Sequence, residues 1–167
     1  MIFVTVGSCE YPFDRLLDAV GELPGDERVV VQSGSSELAL PRAECFDFVP
    51  FEALVEYVRS ARLVVTHAGI GSILTALGTG KRPVVVPRRR QYGEAVDDHQ
   101  VGSARRLAEV GLVTYVDDPA SLGAFLADGV PEAAPVIDGK NNELVDELHE
   151  YLHAAVDRAA AGAPSVD

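Results

Sequence analysis

A short β-branched run that breaks into a glycine turn and then a helical pattern constrains this chain more than any other feature. The run is Leu63-Val64-Val65-Thr66, and the turn that follows is His67-Ala68-Gly69-Ile70-Gly71-Ser72. A run of this length and composition reads as a strand buried on both faces of a parallel sheet. Ile70, Ile73, Leu74 and Leu77 then recur at helical spacing, so a helix with one buried face starts at the turn. Gly71, Ser72, Thr75 and Thr79 fall on a different, polar face. Gly78 and Gly80 stop the helix, and Pro83-Val84-Val85-Val86-Pro87 reads as a second buried strand. Such a strand–turn–helix corner offers free backbone N–H groups and the positive end of a helix dipole, which suits a phosphate. In open α/β sheets ligands collect outside the carboxyl ends of the strands, where this corner would lie.

The remaining elements repeat the theme. Ile2–Val6 is a first strand, ended by Gly7-Ser8, a second strand-to-helix corner able to meet a phosphate. Pro12 opens a helix with Phe13, Leu16, Leu17, Val20 and Leu23 on one stripe. Val29–Gln32 is a strand, Ser33–Glu44 a polar loop, and Phe46–Val49 alternates like a short strand. The spacing of Phe51, Leu54, Val55 and Val58 predicts the buried face of a helix over Glu52–Ala61. Asp97 or Asp98 would cap a helix running to about Val110, with Val101, Ala104 and Ala108 inward. Leu112–Val116 is a last strand and Ala120–Leu126 a short helix. From Asn142 to about Ala160 a long helix carries a wide apolar stripe, which would pack on its own sheet or dock a partner subunit. Strands separated by helix-length segments, with no tight hairpin signal, predict one α/β domain over residues 1–160. Its sheet would be doubly wound and parallel, followed by a frayed tail at 161–167.

Composition removes several function classes. The 167 residues carry 14 Lys+Arg against 26 Asp+Glu, a net charge of -12. A nucleic-acid binder would be basic, so none is expected here. An anionic ligand would have to be held by local donors against the global field. Cys9 and Cys45 lack zinc or redox spacing and read as reduced thiols. No run approaches the roughly 18–20 apolar residues that span a bilayer, and the opening lacks a basic signal start. The expectation is a soluble, cytoplasmic chain that reaches a membrane only through another protein.

The chemistry-bearing residues cluster beside the corners. His67 ends a strand just before the glycines, facing the expected crevice. The turn lacks the G-K-[ST] of a Walker loop and the G-x-G-x-x-G of a dinucleotide fingerprint. Arg88-Arg89-Arg90, the one basic cluster, follows a strand end, where it could contact pyrophosphate, an acidic sugar or lipid head groups. Asp97-Asp98-His99 together with His67 would be an alternative metal-ligand set, although the spacing matches no named site. No G-x-S-x-G elbow supports a serine hydrolase.

Two of these stretches together, T-H-A-G-x-G-S-I-L at Thr66–Leu74 and VPRRRQYGEAVDDHQ at Val86–Gln100, carry a family resemblance. With the Met1–Ser8 opening, Pro12–Leu16 and Val49–Phe51, the chain resembles the C-terminal, donor-binding half of family 28-type glycosyltransferases of the GT-B fold. It is most similar to short, free-standing members that serve as donor-binding subunits of two-part UDP-sugar transferases. Those act in exopolysaccharide or dolichol-linked glycan synthesis. The resemblance implies a UDP-sugar over the strand ends, its pyrophosphate near Gly7, Ser8 and the Gly69–Ser72 helix start. Arg88 lies within the second motif, and Asp98, His99 and Gln100 would flank the sugar. Larger relatives use an acidic residue for the ribose, and Thr75 stands at the matching position here. It also implies inverting transfer without a metal or other cofactor, to a lipid-linked acceptor held by a membrane-anchored partner. The general base would be His67 or His99, or a residue of that partner. A nucleotide-sugar-binding regulatory module without transfer activity and a metal-dependent hydrolase are the competing readings.

Overall fold

The computed structural model describes residues 1–127. The helix expected from Asn142 and the tail at 161–167 lie outside the described residues. Six strands form one sheet: β1 (Ile2–Thr5), β2 (Val29–Gln32), β3 (Ala43–Phe46), β4 (Leu63–His67), β5 (Val84–Val86) and β6 (Thr114–Tyr115). Between and after them run α1 (Asp14–Gly21), α2 (Phe51–Ser60), α3 (Ile70–Gly78), α4 (His99–Glu109) and α5 (Leu122–Ala127). The spatial order is β3-β2-β1-β4-β5-β6 and every pairing is parallel, so the doubly wound expectation holds. The chain winds outward from β1 to β3, then crosses back to lay β4 on the free side of β1. Val4 pairs with Val31 on one side and Val65 on the other.

Side-chain alternation in β1 feeds two cores. Ile2, Val4 and Val6 pack with Phe13, Leu16, Leu17 and Val20 of α1 and its approach, and with Leu122 of α5. Phe3 points the other way, to Val30, Val64, Val58 and Ala76. There its ring stacks on Tyr57 at 5.4 Å between centroids. Cys9 and Cys45 are both free thiols.

Several local expectations shift. The strand read at Phe46–Val49 forms three residues earlier, because Ala43–Phe46 matches β2 in register and brings Phe46 to 5.2 Å from Tyr57. Phe48 is left 55% exposed and Phe51 63% exposed, so α2 buries Val58, not Phe51. On α4 the buried residues are Ser103, Ala104 and Leu107, whereas Val101 and Ala108 are half-buried. Leu112 and Val113 do not extend β6, because their N–H groups turn back to the Leu107 carbonyl and close α4.

The largest departure is Arg88. Instead of facing a ligand, its side chain is 1% exposed, inside the fold at the end of β5. Its Nη1 donates to the carbonyls of Tyr11 (2.7 Å), Pro12 (3.2 Å) and Glu94 (3.1 Å). Nη2 donates to the Val6 carbonyl at 2.8 Å, and the guanidinium lies 4.7 Å from the Phe13 ring centroid. Nearby carbonyl dipoles and a π-face replace the hydration that burial removes. Arg88→Leu strips donors from four carbonyls and should cost about 3 kcal/mol or more. Urea denaturation of the full chain checks this, and a loss below about 1 kcal/mol would mean that water repairs the site.

Candidate functional site

Because β1 and β4 are neighbours and α1 and α3 pack into different cores, the turns that follow the two strands lie side by side at the carboxyl ends of the sheet. This is the switch point at which doubly wound sheets take ligands. Gly7 and Ser8 form one wall, and Gly69–Ser72 the other. The two corners picked out by sequence are therefore brought face to face. Ser8 is exposed, and Ser72 and Thr75 are half-buried.

Each wall has a local cause. On the first, Gly7 has a φ of 78°, a conformation that favours glycine. Its N–H donates to Thr5 Oγ1 at 3.2 Å, and that hydroxyl donates to Gln32 Oε1 at 2.7 Å. On the second, α3 starts at Gly69 with no side-chain cap. Ile73 N–H is the first to reach back, to the Gly69 carbonyl at 3.1 Å. The N–H groups of the first turn have no place in the helical ladder, and the dipole there is positive. A Cβ at Gly71 would meet nothing within 4 Å, so this turn is open to an approaching group. Thr75 Oγ1 donates to the Gly71 carbonyl at 2.8 Å, which commits its proton to its own helix and leaves its oxygen as an acceptor.

His67 lies between the walls. A Cβ on Gly7 would sit 2.4 Å from His67 Cε1, and one on Gly69 would sit 2.1 Å from Nε2. Gly7 and Gly69 are thus glycine because the imidazole occupies the space of any larger residue. Burial first, and then the Arg88 charge, push the His67 pKa down to about 4, against a smaller upward pull from the Thr5 backbone. A ring held that low is neutral near pH 7 and poorly matched to general-base work there.

The loop from β5 to α4 is internally wired. Three successive N–H groups leaving β5 donate to side chains further along: Arg88 to Gln100 Oε1 (3.1 Å), Arg89 to Glu94 Oε2 (2.8 Å) and Arg90 to Asp98 Oδ1 (2.9 Å). Asp98 precedes α4 without capping it; Asp97 Oδ1 accepts from His99 N–H at 3.1 Å and also contacts His99 Nδ1. His99 is exposed, Arg90 is exposed, and Arg89 pairs with Asp117 at 2.6 Å. Among the described residues no group of three or more His, Cys, Asp or Glu is placed to hold a metal ion, so His67 and Asp97–His99 do not form the alternative ligand set. Sequence reasoning missed Thr5, Gln32, Arg15 and Glu94. The first two read as ordinary strand residues, and the last two carry no local pattern that announces a pair.

Loss of stability with acid should carry a His67 signature. With an ordinary pKa of 6.5 when unfolded and about 4 when folded, the unfolded chain takes up the proton first. Stability is therefore full above about pH 6.5 and falls as pH drops towards about 4. Glu27, whose pKa is lowered to about 2 by Arg62, acts mainly below this window. The His67→Gln variant should show a flatter stability profile between pH 6.5 and 4 in urea titrations. Parallel profiles would remove His67 as the buried neutral group.

A model of the glycosyltransferase family 28 C-terminal domain matches residues 1–151. The chain is 28% identical over 114 residues to the UDP-N-acetylglucosamine–N-acetylmuramyl-(pentapeptide) pyrophosphoryl-undecaprenol N-acetylglucosamine transferase of Rhodospirillum rubrum, covering 68% of this chain and 26% of that protein. It is 31% identical over 128 residues to the human UDP-N-acetylglucosamine transferase subunit ALG13, covering 68% of this chain and 11% of that one. Among solved structures, the glycotransferase of kitacinnamycin has a similar fold, with a TM-score of 0.56 at 23% identity over 92% of this chain and 39% of that one. The glycosyltransferase SnogD from Streptomyces nogalater gives 0.54 at 22% identity over 78% and 34%. The chain spans well under half the length of each of these proteins.

Proposed function

The chain belongs to the glycosyltransferase family 28 C-terminal domain family, and from that premise we propose that it is the donor-binding half of a two-part UDP-sugar glycosyltransferase. The observation that carries the reading is the pair of turns facing each other across the β1/β4 switch point, one of them an uncapped helix start. A diphosphate bridging Gly7-Ser8 and Gly69–Ser72 would take hydrogen bonds from backbone N–H groups and lie on the α3 dipole. The names of the Rhodospirillum rubrum and human relatives both specify UDP-N-acetylglucosamine, which makes that nucleotide sugar the first donor to test. Burial of Arg88 and pairing of Arg89 with Asp117 leave Arg90 as the exposed arginine of the basic run, which weakens the argument for an acidic sugar.

In the proposed reaction an acceptor hydroxyl oxygen attacks the anomeric carbon from the face opposite the diphosphate. The new C–O bond forms as the bond to the diphosphate breaks, and UDP leaves with the electron pair, inverting the centre. The N–H groups of the α3 first turn take up the charge that develops on the leaving diphosphate, without requiring a metal. The proton passes to a base, which we assign to the partner because burial lowers the His67 pKa to about 4 and makes its ring a weak base near pH 7. The acceptor is proposed to be lipid-linked and held by a membrane-anchored partner. The Rhodospirillum rubrum relative is named for a pyrophosphoryl-undecaprenol acceptor and the human one is named a subunit. Among the described residues no helix is long and apolar enough to cross a membrane.

Isothermal titration with UDP, UDP-N-acetylglucosamine, UDP-glucose, UDP-galactose and UDP-glucuronate, with and without chelator, tests the reading. Binding of UDP and at least one UDP-sugar that survives the chelator is expected. Gly71→Val should weaken it about tenfold or more, or about 1.4 kcal/mol, while Tm stays put, since the new side chain points into open space. Unchanged affinity would overturn the assignment of the phosphate site. Binding without transfer in every reconstituted partner complex would favour a regulatory module.

A further inference from the structure

Glu94 is a buried carboxylate, 3% exposed, in a loop whose neighbours Gly93 and Val96 face solvent. It is held by Arg15 of α1 through a two-pronged contact, Nε to Oε1 at 2.8 Å and Nη2 to Oε2 at 3.0 Å. Arg15 Nη2 also donates to the Pro87 carbonyl at 3.1 Å, and its guanidinium lies 4.8 Å from the Tyr92 ring centroid. Arg62 forks onto Glu27 in the same way, but Glu27 is part-exposed, whereas the Glu94 carboxylate is buried, which makes its fork the less screened tie. It fastens the β5–α4 loop to α1, the helix that follows the Gly7 turn, so it ties that loop to the element behind one wall of the crevice.

What the tie holds in place is specific. Arg89 N–H donates to the same carboxylate, and the N–H groups on either side of it hold Gln100 and Asp98. Gln100 Oε1 is occupied by Arg88 N–H, so the group it has left to offer a ligand is its Nε2 donor. Asp98 has one oxygen committed to Arg90 N–H. Resting on the donor-binding reading above, we infer that Arg15 and Glu94 are positioning residues for the sugar of the donor. They hold Asp98 and Gln100, an acceptor and a donor, at the sugar end of the crevice, and so set how strongly the chain prefers a UDP-sugar to UDP. The diphosphate contacts, on the Gly7 and Gly69 turns, lie outside the tie.

The test compares Arg15→Met, Arg15→Lys and Glu94→Gln in the full chain, together with its partner if the chain alone is silent. Two readouts are taken: the ratio of UDP-N-acetylglucosamine to UDP affinity, and amide hydrogen exchange across residues 88–100. Arg15→Met should bring the ratio down about tenfold, the scale of a lost charge-assisted contact, with UDP affinity kept within about threefold. The Arg89 and Arg90 amides should exchange faster while those of β1 and β4 keep their protection. Arg15→Lys should recover part of the ratio, and Glu94→Gln, which preserves shape, should show the same loss if Arg15→Met folds poorly. Faster exchange with an unchanged ratio would overturn the positioning role and leave the tie structural. Unchanged exchange would overturn the tie itself. If the wild-type chain binds neither UDP nor UDP-N-acetylglucosamine, even with its partner, the donor-binding reading fails and the sugar-positioning role falls with it, while exchange alone still decides the tie.

Discussion

A guanidinium in the interior is costly to bury, and the crevice edge of this protein is arranged around the one at Arg88. Carbonyls from Val6, Tyr11, Pro12 and Glu94 converge on it, and they come from the exit of β1, the approach to α1 and the β5–α4 loop. None of those segments is regular secondary structure, so without a common donor their carbonyls would need water. The charge therefore joins two loops, the β1–α1 connection and the β5–α4 loop, into one assembly. It acts at a distance as well, since the same positive charge helps to keep the neighbouring imidazole of His67 neutral.

Neutrality of His67 matters for what the crevice can do. Its ring fills the space between Gly7 and Gly69 and fixes the separation of the two turns without adding a formal charge. In the proposed reading the attraction for a diphosphate is left to backbone N–H groups and the α3 dipole, which need no counter-ion and do not titrate. On a chain with a net charge of -12 such local donors have to prevail over a repulsive global field. Three glycines at this corner serve different ends. Two make room for a ring that is already present, and Gly71 borders open space, where the proposed diphosphate would approach.

The β5–α4 loop shows a related economy. Its basic residues look like a ligand-facing cluster, yet each backbone N–H from Arg88 to Arg90 serves to hold a polar side chain of the same loop or of the first turn of α4. The side chains of Arg88 and Arg89 are committed to the carbonyl cluster and to Asp117. A loop satisfied in this way can stay in one conformation beside an open crevice, where mobile polar side chains would lose entropy on binding.

The sequence by itself determined the parallel α/β class, most of the elements and the two glycine corners. Those depend on local chemistry: β-branched runs, helical periodicity, and glycine where a strand must turn into a helix. It also held the family's paired motifs, which the matched domain over residues 1–151 bears out. Only the tertiary structure decided that the corners meet, because that follows from β4 crossing back to pair with β1. It alone moved Arg88 from the surface to the interior, since four carbonyls from positions 6 to 94 must gather before burial of the charge is tolerated. The register of β3 was decided the same way, as pairing with β2 and the contact of Phe46 with Tyr57 outweighed the local apolar pattern. Residues 15 and 94 are ordinary letters until α1 and the loop lie side by side; an ion pair across 79 positions has no periodicity to betray it.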